Sequence, residues 1–497
     1  MPQSEPGSSP KVVSGARKPS GAGASGVGAV LAAFVADPPP IPAAVLEDAR
    51  RSILDGLGSM LAGSREPQAR MVQQVTRSLG QSDDATVFST TRSSAAGAAL
   101  ANGVATHILE FDDIHKRSTI HAAAPVIPAA LAVAEREHQG GPAFLRAVVL
   151  GYEAALRIGE AVNPSHYRHW HPTGTVATFG AAVAAGHLLR LDARQMLDAL
   201  GSAGTQAAGL WEFNASGAMS KTLHPGKAAM NGVLSADLAK LGFTGAASIL
   251  EGPRGFFAAT TDESDPSRVT ADLGRVWKIS ENGYKLYSCC GHTHTAIDAV
   301  LSLRAEHGWN ADWLLENVRE VRLSTYGPGW EIVSEERPRT PYQAKFSLSY
   351  VVGVALLEGE VGLSQFGPER FGPAGVTDPE LAGLLSRIKP SVSAELTAMY
   401  PAAWPARTEI ELKDGRVFTA GGDFPRGNME NPVSTEALEA KFRGLVEPRL
   451  GGAVVKRAIE LVRTLEDASD MAAWCRELNG LCLDHLRSTG PELGGKV

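Results

Sequence analysis

The stretch TGTVATFGAAVAAGHLLRL, residues 173 to 191, constrains the fold more than any other. It has helical spacing, yet its side chains are largely Ala and Gly. Small residues let helices approach closely, so a chain rich in them builds its core from helix packed on helix. Segments 93–106, 124–137, 143–162, 193–209 and 225–241 read as helices too. In AAVLEDARRSILDGLGSMLAG, Leu46, Ala49, Ile53, Leu57 and Met60 recur at steps of three and four, one face of an amphipathic helix.

After residue 270 the texture changes. NVREVRLSTY sets Val321 and Leu323 against Glu320 and Arg322, the alternation of a half-buried strand. RTEIELKDGRVFTA is two alternating runs around Asp414-Gly415, a hairpin signal. Helical patterns lie between them, and helix returns from Ser434. These shifts predict a mainly α protein. A disordered tail covers 1–28, and a large all-helical domain covers 29–273 and resumes over 424–490. A smaller α+β domain covers 274–423. Pro225 is expected at the first position of its helix, leaving Lys221 and His224 in the loop before it.

Net charge is −7 and no long Lys/Arg block occurs, which argues against a nucleic-acid or anionic-membrane partner. Any anion site must therefore be a local concentration of cations. No apolar run reaches the length of a membrane span. Four cysteines are too few for a disulfide scaffold and fit a reducing compartment. The expected location is the cytoplasm, with organelle import through the N-terminal tail as the alternative.

Four polar groups break the helical periodicity. HILEFDDIHKRSTIH brings Glu110, Asp112, Asp113, His115 and His121 together. Carboxylates beside histidines in a helical core shift one another's pKa, which suits general acid–base work, and a solvated helix end is the plain alternative. HYRHWHPTG holds His166, His169 and His171, a spacing open to a metal. His171 stands at the mouth of the next helix, whose N–H groups favour an anion. SKTLHPGKAAMNG offers Lys221, His224 and Lys227, cations suited to a carboxylate substrate or simply a surface loop.

The fourth group, KLYSCCGHTH, packs Cys289, Cys290, His292 and His294 close together. Thr295 and Asp298 resemble a capping box with Asp in place of Glu, so this group reads as an extended segment leading into a helix that begins around Thr295. That shape and the missing Cys-x2-Cys spacing speak against a zinc site, and the cysteines read as packing residues.

These stretches, in this order, resemble the MmgE/PrpD family, which includes 2-methylcitrate dehydratases, cis-aconitate decarboxylases and iminodisuccinate epimerases. The matching pieces are LEFDDIH with HAAAPVIPAALAVAE, WHPTGTVATFGAA, SKTLHPGKAAMNGVLSADLAKLGFTGAASILEGPRGFF, KLYSCCGHTHTAIDAV and YQAKFSLSYVVGVALLEG. The resemblance implies a helical domain built from both ends of the chain, a smaller α+β lid and a homodimer. It also implies an active site between the domains, without metal or other cofactor. Glu110 maps onto the acidic start of the x-F-D-D block, followed by Asp112 and Asp113. His121 opens the H-x-x-x-P-V-I-P block. His171, Lys221 and His294 match the remaining motif positions, and Tyr326 is the candidate lid tyrosine. Many relatives carry Asp where this chain has Glu110, and Thr where it has Ile114.

The shared chemistry of the family develops charge on carbon beside a carboxylate. The expected function is a cofactor-independent lyase of a di- or tricarboxylate, decarboxylating or dehydrating it. An epimerase and a non-catalytic carboxylate-binding dimer are the alternatives, with a metal-dependent hydrolase behind them. Lys221, His171 and His294 are expected to hold substrate carboxylates, with Lys285 facing the cleft and Asp112 and Tyr326 on the binding side. His121 is expected to move the proton, oriented by Glu110 or Asp113.

Overall fold

The computed structural model describes residues 26–80 and 82–489. The expected tail lies outside these residues except at its end, where Val27 already opens the helix Val27–Ala36. The protein is mainly α, and its buried apolar side chains form two large cores. One is drawn from residues between Leu31 and Tyr284 and again from Leu438 to Cys482. The other is drawn from Tyr287 to Leu412. The helices Thr435–Arg463 and Met471–Thr489 thus complete a core begun four hundred residues earlier, the first lying along Ala43–Gly63.

Small residues set the helix spacing in the first core. The helices Ala95–His107 and Ser220–Lys240 cross at Gly103 and Gly226. A Cβ on Gly103 would lie 2.8 Å from the Gly226 Cα, and one on Gly226 would lie 2.5 Å from the Leu100 carbonyl oxygen. Gly151 of Gly141–Val162 and Gly180 of Ala177–Leu188 make a second such crossing. Backbones this close fix the relative positions of side chains further along each helix.

One expected boundary and one expected cap are overturned. The helix carrying Lys221 and His224 starts at Ser220, so both side chains project from the helix, and Pro225 lies inside it. The missing proline N–H forfeits one helical hydrogen bond, and packing against four neighbouring helices outweighs it. There is no capping box at Thr295. A 3-10 turn, Gly291–Thr293, leads into a helix that begins at His294. Thr295 instead donates to the Trp404 carbonyl (2.7 Å), and Asp298 accepts from Tyr287 (2.5 Å) and the Arg426 N–H (2.7 Å). Tertiary partners have taken the groups a cap would use.

The second core lies under a four-stranded sheet: β1 Val318–Thr325, β2 Ile388–Val392, β3 Ala406–Leu412 and β4 Val417–Gly422, in the order β2-β1-β3-β4. β1 pairs parallel with β2 and antiparallel with β3. β3 and β4 form the hairpin expected at Asp414-Gly415. β2 had no sequence signal because it contains Pro390, which a sheet tolerates at an edge. Helices His294–His307 and Leu348–Glu358 pack on the sheet. Among the described residues, no helix is long and apolar enough to cross a membrane.

Candidate active site

Where the Ala95–His107 helix ends, the chain turns sharply. The Glu110 N–H donates to the His107 carbonyl (3.0 Å), and Glu110 takes a left-handed φ of 55°. A non-glycine residue there costs about 1 kcal/mol or more. In return, Glu110, Asp112 and Asp113 send their buried carboxylates to three different sets of partners.

Glu110 binds two lysines. Lys221 donates to Oε1, while Lys285 donates to Oε2 (3.3 Å) and to the backbone carbonyl (3.1 Å). Lys221 comes from the helical core and Lys285 from the segment leading into the second core. Burial opposes charge on Glu110, and Lys221 and Lys285 overcome it, holding the carboxyl well below its usual range.

Asp112 accepts from His107 Nδ1 (2.8 Å) and lies 3.9 Å from His121 Nδ1. Burial opposes its charge as well, and His107 and His121 hold it in the ionised form. Asp113 turns the other way. Its carboxylate accepts from Tyr152 Oη (2.7 Å), Asn282 Nδ2 (2.8 Å) and the Ala123 N–H (3.0 Å), and burial pushes it up to about 7. Asp113 meets His121 through its backbone: His121 Nδ1 lies 2.7 Å from the Asp113 carbonyl. A carbonyl oxygen only accepts, so His121 carries its proton on Nδ1 and leaves Nε2 bare.

Three imidazoles face one another. Ring centroids are 4.8 Å apart for His107 and His121, 5.8 Å for His107 and His171, and 6.3 Å for His121 and His171. His171 rests edge-on against Trp211 and Phe213, and its Nδ1 lies 3.1 Å from His224 Nδ1. Burial, reinforced by Lys285, holds His121 well below 6.5; burial and His224 do the same to His171. Both are therefore neutral near neutral pH. The ligand nitrogens of His107, His121 and His171 come within 4.8 Å of one another, a span that admits a metal ion. The ammonium groups of Lys221 and Lys285 beside them weigh against a second cation.

The second core contributes through KLYSCCGHTH, and the histidine that reaches the helical half is His292. Its Nδ1 meets Tyr326 Oη (2.5 Å) and its Nε2 meets Tyr167 Oη (3.3 Å). Burial, then Lys285 and Lys221, push His292 down to about 3. His294 turns instead to the Cys289 carbonyl (3.4 Å) and the edge of Tyr287. Lys345 donates to the Leu109 carbonyl (2.6 Å) and Ser288 Oγ (2.8 Å), and burial brings it down to about 8. The cysteines are buried and free, with Cys289 pushed up to about 12 by burial.

The structure thus brings Glu110, Asp112, His121, His171, Lys221 and Lys285 into one cluster. Asp113 and Tyr326 reach it through His121 and His292, and His294 faces away. His115 belongs to a separate ion cluster with Glu160 and Glu281, in which the Lys278 ammonium already lies 3.0 Å from Glu160. His166 is tied to Thr175 and the Thr260 carbonyl, and His169 is exposed, so the trio His166, His169 and His171 does not form a site. His107, Tyr152, Asn282 and Lys345 went unnoticed in the sequence. Only His107, three residues before Glu110, carries a signal, since it stands in the last turn of its helix.

The MmgE/PrpD N-terminal domain model matches residues 29–269, and the MmgE/PrpD C-terminal domain model matches residues 287–467. The chain is 30% identical over 460 residues to a cis-aconitate decarboxylase of Aspergillus terreus, covering 88% of this chain and 92% of that protein. To the human cis-aconitate decarboxylase it is 27% identical over 463 residues, covering 91% and 94%. To the mouse enzyme it is 28% identical over 450 residues, covering 88% and 89%.

Proposed function

The chain belongs to the MmgE/PrpD family and is a lyase of the decarboxylase or dehydratase type, and from that premise we propose that it decarboxylates a tricarboxylate, with cis-aconitate as the substrate. One observation carries this reading. Lys221 and Lys285, from opposite sides of the cluster, meet on the single carboxylate of Glu110 with three imidazoles beside them. A site that holds one carboxylate between two buried ammoniums is built for polyanions.

In the proposed reaction Lys221, Lys285 and His171 bind substrate carboxylates, with His292 and Tyr326 supporting from the lid in place of the expected His294, which faces away. Asp112 keeps His107 oriented, and the Asp113 carbonyl holds His121. A bound polyanion offsets the field of Lys285 and draws a proton onto His121 Nε2. An allylic carboxylate then leaves as CO2, and its C–C electron pair becomes the new double bond. The far carbon of the old double bond takes the proton from His121. Each turnover consumes one proton. We propose that side chains alone do this, with no metal or other cofactor.

NMR of the purified enzyme in D2O tests the reading, with cis-aconitate, citrate, 2-methylcitrate and iminodisuccinate offered separately. CO2 loss from cis-aconitate with one deuterium incorporated is expected, unchanged after chelator treatment. Water loss from 2-methylcitrate, or deuterium exchange in iminodisuccinate without net loss, would replace it with dehydratase or epimerase action. Binding of citrate-like ligands with no turnover anywhere would favour a non-catalytic carboxylate-binding dimer.

We also propose that the two cores are two domains, divided near residues 274 and 423, and that the protein works as a cytoplasmic homodimer. Met219 just before Ser220–Lys240, Leu223 and Leu234 along it and Leu241 just past its end are exposed at helical spacing, with Phe243 close behind in sequence. Leu241 is 85% exposed, and an apolar stripe of this kind is a candidate contact face. Light scattering checks this: a monomeric mass at micromolar concentration would rule the dimer out.

A further inference from the structure

The proposed reaction consumes a proton at a centre closed to water. Glu110, Asp112, His171, Lys221 and Lys285 are at most 2% exposed, and His121 is 8% exposed. The structure points to His224 as the relay that carries this proton inward, an inference that rests on the decarboxylase reading. His224 Nδ1 lies 3.1 Å from His171 Nδ1. With nitrogen facing nitrogen at this distance, one ring must donate and the other accept, so the pair shares a single proton between them.

The setting of His224 differs from that of His171. His224 is half-buried at the edge of the Ser220–Lys240 helix. It lies one residue past Leu223, about 100° round the helix from the apolar stripe. Its ring packs against Phe213 at 5.5 Å and against two glycines, Gly174 and Gly209. A Cβ on Gly174 would come 2.8 Å from the His224 Cβ, and one on Gly209 would come 3.2 Å from its Nδ1. Among the described residues the ring has no polar anchor other than His171. The charged and titratable groups facing it are His171, Lys227, Lys221 and His107. The Lys227 ammonium is tied to the Ala208 carbonyl (2.7 Å), so it does not compete for the His171 nitrogen.

The transfer balances. His224 accepts a proton from solvent or buffer at Nε2 and passes its Nδ1 proton to His171 Nδ1. His171 releases a proton from Nε2 into the cluster, where His121 delivers it to carbon. The two imidazoles return to their starting tautomers by rotating about their Cβ–Cγ bonds, which breaks and remakes the Nδ1–Nδ1 contact without returning the proton. His224 touches neither substrate nor reacting carbon, so it is a positioning and relay residue acting through His171.

The experiment compares wild type, His224→Ala and His224→Gln on cis-aconitate in low-concentration buffer, with and without added imidazole. His224→Ala is expected to lower kcat about 100-fold, the scale of a lost proton-transfer group, with KM nearly unchanged. Imidazole or higher buffer concentration is expected to restore most of it. Gln can bond to His171 but cannot relay, so His224→Gln is expected to show the same loss and the same rescue. A folded variant with wild-type kcat in dilute buffer would overturn the inference. So would a loss that imidazole leaves untouched, or that Gln repairs unaided. Absence of turnover in the wild type would instead strike at the decarboxylase reading.

Discussion

Lys221 donates a hydrogen bond to Glu110 Oε1 from a position 111 residues away in sequence, and each of the two residues is only 2% exposed. The contact exists because the Gly103–Gly226 crossing brings the end of one helix beside the start of another. Lys285 completes the arrangement on the other carboxylate oxygen. Stability and charge both meet in this one carboxylate.

Removing the charge of Glu110 leaves two buried ammoniums facing each other. Glu110→Gln is expected to lose about 3–5 kcal/mol of unfolding free energy, the cost of stranding a buried charge. Adding Lys221→Met should recover part of that loss, because it removes one stranded cation. Urea unfolding of the two single variants and the double variant measures this coupling. Strictly additive losses would show that the buried pair does not act as a unit.

His121 and Lys221 should fail in different ways. His121→Gln is expected to lower kcat by about 10²–10⁴, the usual contribution of a general acid, while KM changes little. Lys221→Ala removes a carboxylate partner, so KM should rise as well. Full turnover in both variants on the identified substrate would remove these residues from the mechanism.

Gly226→Ala tests whether helix spacing sets the site. The new methyl would lie 2.5 Å from the Leu100 carbonyl and 2.6 Å from Val104 Cγ2. Overpacking of this kind costs about 1–3 kcal/mol and would shift Lys221 and His224 away from Glu110 and His171, so kcat should fall with stability. Gly444, exposed within Thr435–Arg463, has nothing within 4 Å of its Cβ position. Gly444→Ala should therefore stabilise by about 0.5–1 kcal/mol with activity unchanged. Thermal melts and kcat on both variants separate crowding from a general intolerance of substitution.

Buried neutral histidines make the fold sensitive to acid. Burial pushes His166 down to about 4, and burial with Lys285 and Lys221 pushes His292 down to about 3. The unfolded chain protonates both near pH 6.5, so between 6.5 and these values it binds more protons than the folded chain. Stability is therefore full above pH 6.5 and is lost as pH falls. Each of the two should cost about 1.4 kcal/mol between pH 8 and 5.5. Urea unfolding at both pH values checks this: His166→Gln should flatten the dependence by about that amount, and an unchanged slope would refute the assignment.

The helical half was largely legible because its signals are local. Period and small-residue content mark the helices around Gly103, Gly180 and Gly226 without reference to the rest of the chain. The hairpin at Asp414-Gly415 was legible for the same reason. β2 was not, because Pro390 masks a strand that exists only where β1 offers it an edge. The capping box at Thr295 misled because Trp404, Tyr287 and Arg426, distant in sequence, claim its hydroxyl and carboxylate.

The sequence by itself determined the family, the helical architecture and the types of residue in the site, since collinear motifs and periodicity survive without coordinates. Only the tertiary structure decided which partners each member of a motif meets. It put Asp113 on His121 through a backbone carbonyl and left Asp112 as the nearer carboxylate. It brought His292 rather than His294 to Tyr167, and it set His107 among the imidazoles and His224 against His171. The physical reason is directional: hydrogen bonds and buried charges depend on where a side chain points to within an ångström. That is settled by packing between segments far apart in the chain, which no local pattern records.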